Sequence, residues 1–125
     1  MIEFFDSEKK DGLVSIYENH ITFNKSLIKY FKDAYRVRVG VDRQAKKAYV
    51  FSLNKDQSLS GELSQTSLLP LSLSNTYARI CSRAIVEYIT EAVGINVPKG
   101  EYLRFKASYD EAKKAIVICF EGDGK

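Results

Sequence analysis

Apolar and polar residues alternate with a period of two along much of this chain. Tyr35, Val37, Val39 and Val41 fall on one side of a segment whose other side carries Arg36 and Arg38. That is the pattern of a half-buried strand rich in β-branched residues. Leu103, Phe105, Ala107 and Tyr109 alternate in the same way with Arg104, Lys106 and Ser108. Each segment is followed by a polar turn and a returning apolar run, 48–53 and 115–120, so each predicts a hairpin. Upstream, residues 13–17 and 20–23 read as a hairpin around Glu18-Asn19-His20, because Asn19 tolerates the left-handed backbone of a tight turn. Residues 69–73 and 77–81 read as a short strand pair around Ser74-Asn75-Thr76.

Two segments switch to a helical period. Asn24 is a suitable N-cap for a short helix with Leu27, Ile28 and Phe31 on one face and Lys25, Lys29 and Lys32 on the other. Ser82 can cap a stronger helix whose Ile85, Ile89, Ala92 and Val93 form an apolar stripe, with Gly94 as its stop. Between these halves, residues 54–68 are polar and serine-rich and read as a linker.

The order of elements repeats. Residues 35–42 lie over 103–110, and, after a turn one residue shorter, Ala45-Lys46-Lys47-Ala48 lies over Ala112-Lys113-Lys114-Ala115. Residues 25–31 likewise match 83–89, sharing a tyrosine at Tyr30 and Tyr88. The reading is an internal duplication: repeat one over residues 12–54, the linker over 54–68 and repeat two over 69–121 of a single domain. Each hairpin has one apolar face that its own unit cannot cover. The expected fold is therefore mainly β (α+β), with two ββαββ repeats packed into one barrel and a helix at each end.

The passage Gly94-Ile95-Asn96-Val97-Pro98-Lys99-Gly100-Glu101-Tyr102-Leu103 runs from an amphipathic helix into a strand. It resembles the helix-to-strand passage of AbrB/MazE-type swapped-hairpin DNA-binding domains. Ile21-Thr22-Phe23-Asn24-Lys25 and Arg79-Ile80-Cys81-Ser82-Arg83 resemble the segment leading into the helix of that family, with Asn24 and Ser82 where the family has proline. The turn Glu18-Asn19-His20 lacks the arginine that the family often uses to reach DNA. Family members interlock as homodimers. The resemblance implies that a tandem chain forms the pseudo-two-fold swapped-hairpin barrel within itself, as a monomeric pseudo-dimer.

Composition narrows the class. The chain has 125 residues, enough for one domain, and its 45% apolar share includes eight Tyr and seven Phe. With 28% charged residues it is not a disordered composition. No apolar run is long enough for a membrane span, and Met1-Ile2-Glu3-Phe4-Phe5-Asp6 does not read as a secretory signal, so a cytoplasmic location is expected. Cys81 and Cys119 lie in apolar runs and are expected to be buried free thiols. With one histidine and no CxxC, no zinc site or other cofactor is expected. His20 reads as a turn residue, and neither a catalytic constellation nor a phosphate-binding glycine loop is evident.

Charge supplies the functional expectation. The net charge is +3, and all of the excess falls within residues 1–54. Lys25 and Lys29, with Arg79 and Arg83 at the matching start of the second helix, would flank the pseudo-two-fold axis. There they could neutralise phosphates and position a DNA duplex, as in a transcriptional regulator. The other reading of these cations is a solvated helix face, which Glu87 and Glu91 favour. A second basic group, Arg36 and Arg38 with Arg104 and Lys106, is expected on strand faces turned away from the core, where acidic neighbours could pair with it. The alternative function is a protein-interaction or assembly module on the same fold, with a protein partner in place of DNA.

Overall fold

The computed structural model describes residues 12–61 and 67–120, so the expectation for the first six residues lies outside the described residues. Eight strands among them form one curled antiparallel sheet: β1 Gly12–Ile16, β2 Ile21–Phe23, β3 Arg36–Asp42, β4 Lys47–Leu53, β5 Ser72–Leu73, β6 Ala78–Ile80, β7 Leu103–Asp110 and β8 Ala115–Cys119. Their order across the sheet is β3-β4-β8-β7-β1-β2-β6-β5. The hairpins therefore pair with hairpins from the other half of the chain. β1 lies beside β7, β2 beside β6 and β4 beside β8. Leu69 and Val37 exchange both backbone hydrogen bonds, at 2.8 and 2.9 Å. The short segment 69–73 thus touches β3 at one edge of the sheet and pairs with β6 at the other.

Alternation fixes which side chains enter the curl. Val14, Ile16, Ile21, Phe23, Val37, Ala48, Val50, Ala78, Ile80, Phe105, Ala107, Ile116 and Ile118 are buried in one apolar cluster. Phe23 packs edge-on against Phe31 with ring centroids 4.9 Å apart, and Phe105 against Phe120 at 4.7 Å. A 3-10 helix, Lys25–Phe31, packs on β1 and β6 and buries Leu27 and Phe31. An α-helix, α2 (Arg83–Val93), packs on β3 and buries Val86, Ile89 and Val93. Gly12 pairs with Ala107 of β7 at a point where the 3-10 helix lies against β1. A Cβ there would collide with the carbonyl oxygen of Ala107 and come within 2.7 Å of Leu27 Cδ2, so only glycine fits this position.

Several local expectations need correction. The buried stripe of α2 uses Val86 and leaves Ala92 half-buried, a rotation that brings positions i, i+3 and i+7 onto the sheet. Ser82 caps α2 as expected, accepting from Ile85 N at 3.2 Å, and Gly94 stops it at φ 73°. Asn24 stands at the N-cap position of the following helix, its carbonyl accepting from Leu27 N at 3.0 Å, but its side chain makes no capping hydrogen bond. Its Oδ1 accepts from Leu13 N at 3.1 Å and from the Ser26 hydroxyl at 2.9 Å, which ties the helix start to β1. Tyr35 precedes β3 and is 38% exposed, outside the inward stripe, with the Arg36 guanidinium 4.5 Å from its ring centroid.

Cys81 and Cys119 are free thiols, but both are exposed. Cys119 falls on the outward phase of β8, and Cys81 lies one residue past β6. The serine-rich linker is not uniformly irregular. It contains α1, Lys55–Leu59, started by a reciprocal capping box between Asn54 and Gln57 and anchored by buried Ser58.

The long hairpins close identically. Asp42 accepts from Gln44 N and Ala45 N at 3.1 and 3.0 Å, and Asp110 accepts from Ala112 N and Lys113 N at 2.9 and 3.1 Å. Lys46 and Lys114 then take left-handed φ values of 54° and 55°. The strand pairs that close the loops are Asp42 with Lys47 and Asp110 with Ala115, so the loops have equal length. The one-residue difference suggested by the Ala-Lys-Lys-Ala match is not present. The aspartate-anchored turn sets the spacing, and the shared tetrapeptide is displaced by one position within it.

Two stability outcomes follow from this packing. Phe105→Ala should destabilise the protein by about 3–5 kcal/mol in chemical denaturation, the range for emptying a buried aromatic site. Lys46→Gly and Lys114→Gly should each stabilise it, by about 1 kcal/mol at most, because glycine adopts the left-handed backbone without strain. A gain at one turn and a loss at the other would contradict their equivalence.

Candidate functional site

Whatever alternation sends inward, it sends the neighbouring residues outward, and on β7, β1, β2 and β6 these form ordered rows. The register sets Arg104 opposite Ser15, Ser15 opposite Thr22, Thr22 opposite Arg79, and Arg79 opposite Ser72. This gives a polar row across five strands with an arginine near each end. Next to it lies a row of rings contributed by the residues flanking the same strands. Tyr17 stacks on His20 with centroids 4.1 Å apart and planes 15° from parallel. On its other side Tyr17 meets Tyr102 at 5.0 Å and a tilt of 32°.

Local structure holds these rings in place. The β1–β2 hairpin closes with Tyr17 N donating to His20 O at 2.9 Å, which places both rings at the same end of the sheet. Pro98-Lys99-Gly100-Glu101 forms a turn closed by Glu101 N to Pro98 O at 3.0 Å, with Gly100 at φ 78°. Gly100 N also donates to Glu18 Oε1 at 3.1 Å, joining residues 82 apart in sequence. That hydrogen bond fastens the segment carrying Tyr102 to the hairpin carrying Tyr17. The cations are held against rings as well. Arg104 donates to the Tyr102 hydroxyl at 3.1 Å with its guanidinium 5.4 Å from that ring, and Arg79 lies 4.9 Å from the Tyr77 ring.

The β2–β6 pair of the face holds two buried polar atoms without partners. Thr22 Oγ1 and Arg79 Nε are buried side-chain polar atoms without a hydrogen-bond partner, and they belong to directly paired residues. A buried polar group without a partner carries a desolvation cost. Burial, and secondarily the charge on Arg79, hold the His20 ring below its ordinary pKa. The ring is therefore neutral near pH 7, while its Nδ1 lies 2.7 Å from Asn19 Oδ1.

The four cations expected to bind phosphate occupy different settings. Lys25 and Lys29 are exposed on the 3-10 helix, and Lys29 borders an open groove of about 360 Å³ with Ile28, Lys32, Leu73, Ser74 and Asn75. Arg83, at the start of α2, has its Nε 4.0 Å from Glu87 Oε2, the one ion pair among the described residues. Arg79 alone of the four lies in the outward row between the strands. Arg38, Arg104 and Lys106 are exposed away from the core as expected, and Arg36 is half-buried.

Sequence reasoning missed Tyr17, His20, Tyr77 and Tyr102 as a group. The visible signal was that each stands on the outward phase of its strand beside a cation or a hydroxyl residue. Among the described residues no cluster of His, Cys, Asp and Glu could hold a metal ion, and no helix is long and apolar enough to cross a membrane. No protein-family model, curated protein or solved structure matches the chain.

The His20 environment has a measurable consequence. A histidine less basic when folded than when unfolded lets the unfolded chain bind the proton first. Its effect on stability is absent above the ordinary value of about 6.5 and becomes unfavourable as pH falls from there through the lowered value. Titration of His20 by NMR should give a pKa below 6.5, and Arg79→Ala should raise it without restoring the ordinary value, because burial is the larger cause. An unchanged pKa in that variant would show that Arg79 does not act on the ring.

Proposed function

We propose that this chain is a nucleic-acid-binding domain and that the outward face of β7, β1, β2 and β6 is its contact surface. The observation that carries the reading is the ring row Tyr102, Tyr17 and His20 lying alongside a row that contains Arg104 and Arg79. Arginines neutralise phosphates, and neighbouring hydroxyls and aromatic rings supply the contacts that hold the chain of nucleotides in register. Lys106, exposed two residues beyond Arg104 on β7, extends the positive edge. Glu18 lies in the same turn, but its carboxylate accepts a backbone hydrogen bond from Gly100.

The architecture we infer behind this surface is the tandem swapped-hairpin barrel of the AbrB/MazE type. Its support is the pairing pattern. Exchanging β1 with β5, β2 with β6, β3 with β7 and β4 with β8 leaves the set of neighbours unchanged, with the Val37–Leu69 bridge taking the place of the β1–β7 pair. In that arrangement the pseudo-two-fold axis passes through the β2–β6 pair, where Thr22 faces Arg79. Lys25 and Arg83 then follow on the two sides of the axis at the helix starts and give outlying phosphate contacts. A monomer suffices, because one chain supplies both units.

Affinity for labelled oligonucleotides should fall steeply with salt. Arg104→Ala with Lys106→Ala should flatten the slope of log affinity against log salt by about 0.7–0.9 for each phosphate no longer neutralised, while the melting temperature stays near that of the parent. Lys25→Ala with Arg83→Ala should give a smaller change. No salt-sensitive binding to any oligonucleotide would remove this reading and leave the protein-interaction module.

A further inference from the structure

On the basis of that reading, we infer that the ligand is single-stranded: a nucleic acid with an unpaired base free to stack on the exposed Tyr102 end of the Tyr102–Tyr17–His20 row while its phosphates follow the arginine row. The rings form a ladder, with centroid spacings of 5.0 and 4.1 Å. Tyr102 at one end of it is 44% exposed. In a duplex the faces of the bases are already occupied by their neighbours, leaving edges and phosphates to an outside partner. A ring ladder has nothing to stack against there. An unpaired strand offers base faces, and one of them can continue the ladder at its exposed Tyr102 end.

The adjoining row fits the same ligand. Arg104 on β7 and Arg79 on β6 are separated by three strand-to-strand steps, about 14 Å at the usual spacing. Ser15 and Thr22 occupy the two positions between them. A strand crossing the sheet can therefore meet cations near both ends of the row while its bases lie toward the rings. The neutral His20 keeps the ladder available near pH 7 without adding a charge that would draw phosphate onto it. Among the described residues, the acids of the turns that carry the ring row are Glu18, tied to Gly100, and exposed Glu101, both outside the arginine row.

The test is fluorescence anisotropy at low salt with labelled oligothymidylate and oligouridylate of roughly a dozen nucleotides, a length in the range one small barrel occupies. A mixed-sequence duplex of the same length serves as comparison. At least one single strand should bind roughly tenfold more tightly than the duplex, and the tighter of the two assigns the strand to DNA or RNA. Tyr102→Ala should weaken single-strand binding by roughly 5- to 150-fold, the range for removing one base–ring stack. Tyr102→Phe, which keeps the ring and removes only the hydroxyl that Arg104 meets, should stay within a few-fold of the parent. Duplex binding equal to single-strand binding, with Tyr102→Ala indifferent, would overturn this inference and leave the nucleic-acid reading standing. Absence of binding to all three probes would overturn both.

Discussion

Pairing between the two halves of the chain is the constraint on which the rest of the structure depends. A hairpin such as β3–β4 or β7–β8 presents one apolar face and two edges, and on its own it can bury neither. Here β4 takes β8 along one edge, β7 takes β1, and β2 takes β6, so the hairpins of one half complete the sheet of the other. The curl that results brings Phe23, Phe31, Phe105 and Phe120 into one core. Burying such side chains contributes about 1.5–3 kcal/mol each, and that gain appears only once both halves are in place.

The same pairing creates the outward face. Tyr17 and Tyr102 belong to distant parts of the sequence, and they become neighbours because Ile16 pairs with Leu103 and both strands continue one residue further in phase. His20 joins them through the tight β1–β2 hairpin. The interior register and the ring row are thus two sides of one decision. A one-residue slip of β1 against β7 would bury Ser15 and expose Val14, and it would dismantle the ladder at the same time.

The unpartnered atoms at Thr22 and Arg79 lie side by side on the paired strands β2 and β6 of this face. The Arg79 guanidinium is held against the Tyr77 ring, beside a histidine whose basicity is lowered. Because burial, and secondarily Arg79, lowers the basicity of His20, the positive charge on this face lies in the polar row rather than on the rings.

The sequence by itself determined the local structure to a large extent. Period-two alternation marked the inward residues of β3 and β7, Ser82 and Gly94 marked the limits of α2, and Asp42 and Asp110 marked the hairpin turns, since each of these signals acts over only a few residues. It did not determine the rotation of α2 onto Val86, the role of Asn24 as a clip to β1, or the exposure of Cys81 and Cys119. Those depend on which surface an element meets. Nor did the sequence assemble the candidate site: it set Lys25, Lys29, Arg79 and Arg83 together by analogy of position. The tertiary structure set Arg79 with Thr22 and Arg104 with Tyr102, and aligned Tyr102, Tyr17 and His20. The physical reason is that alternation tells each side chain which face of its strand to take, whereas its neighbours on that face come from adjacent strands, whose identity and register are chosen only when the whole core closes.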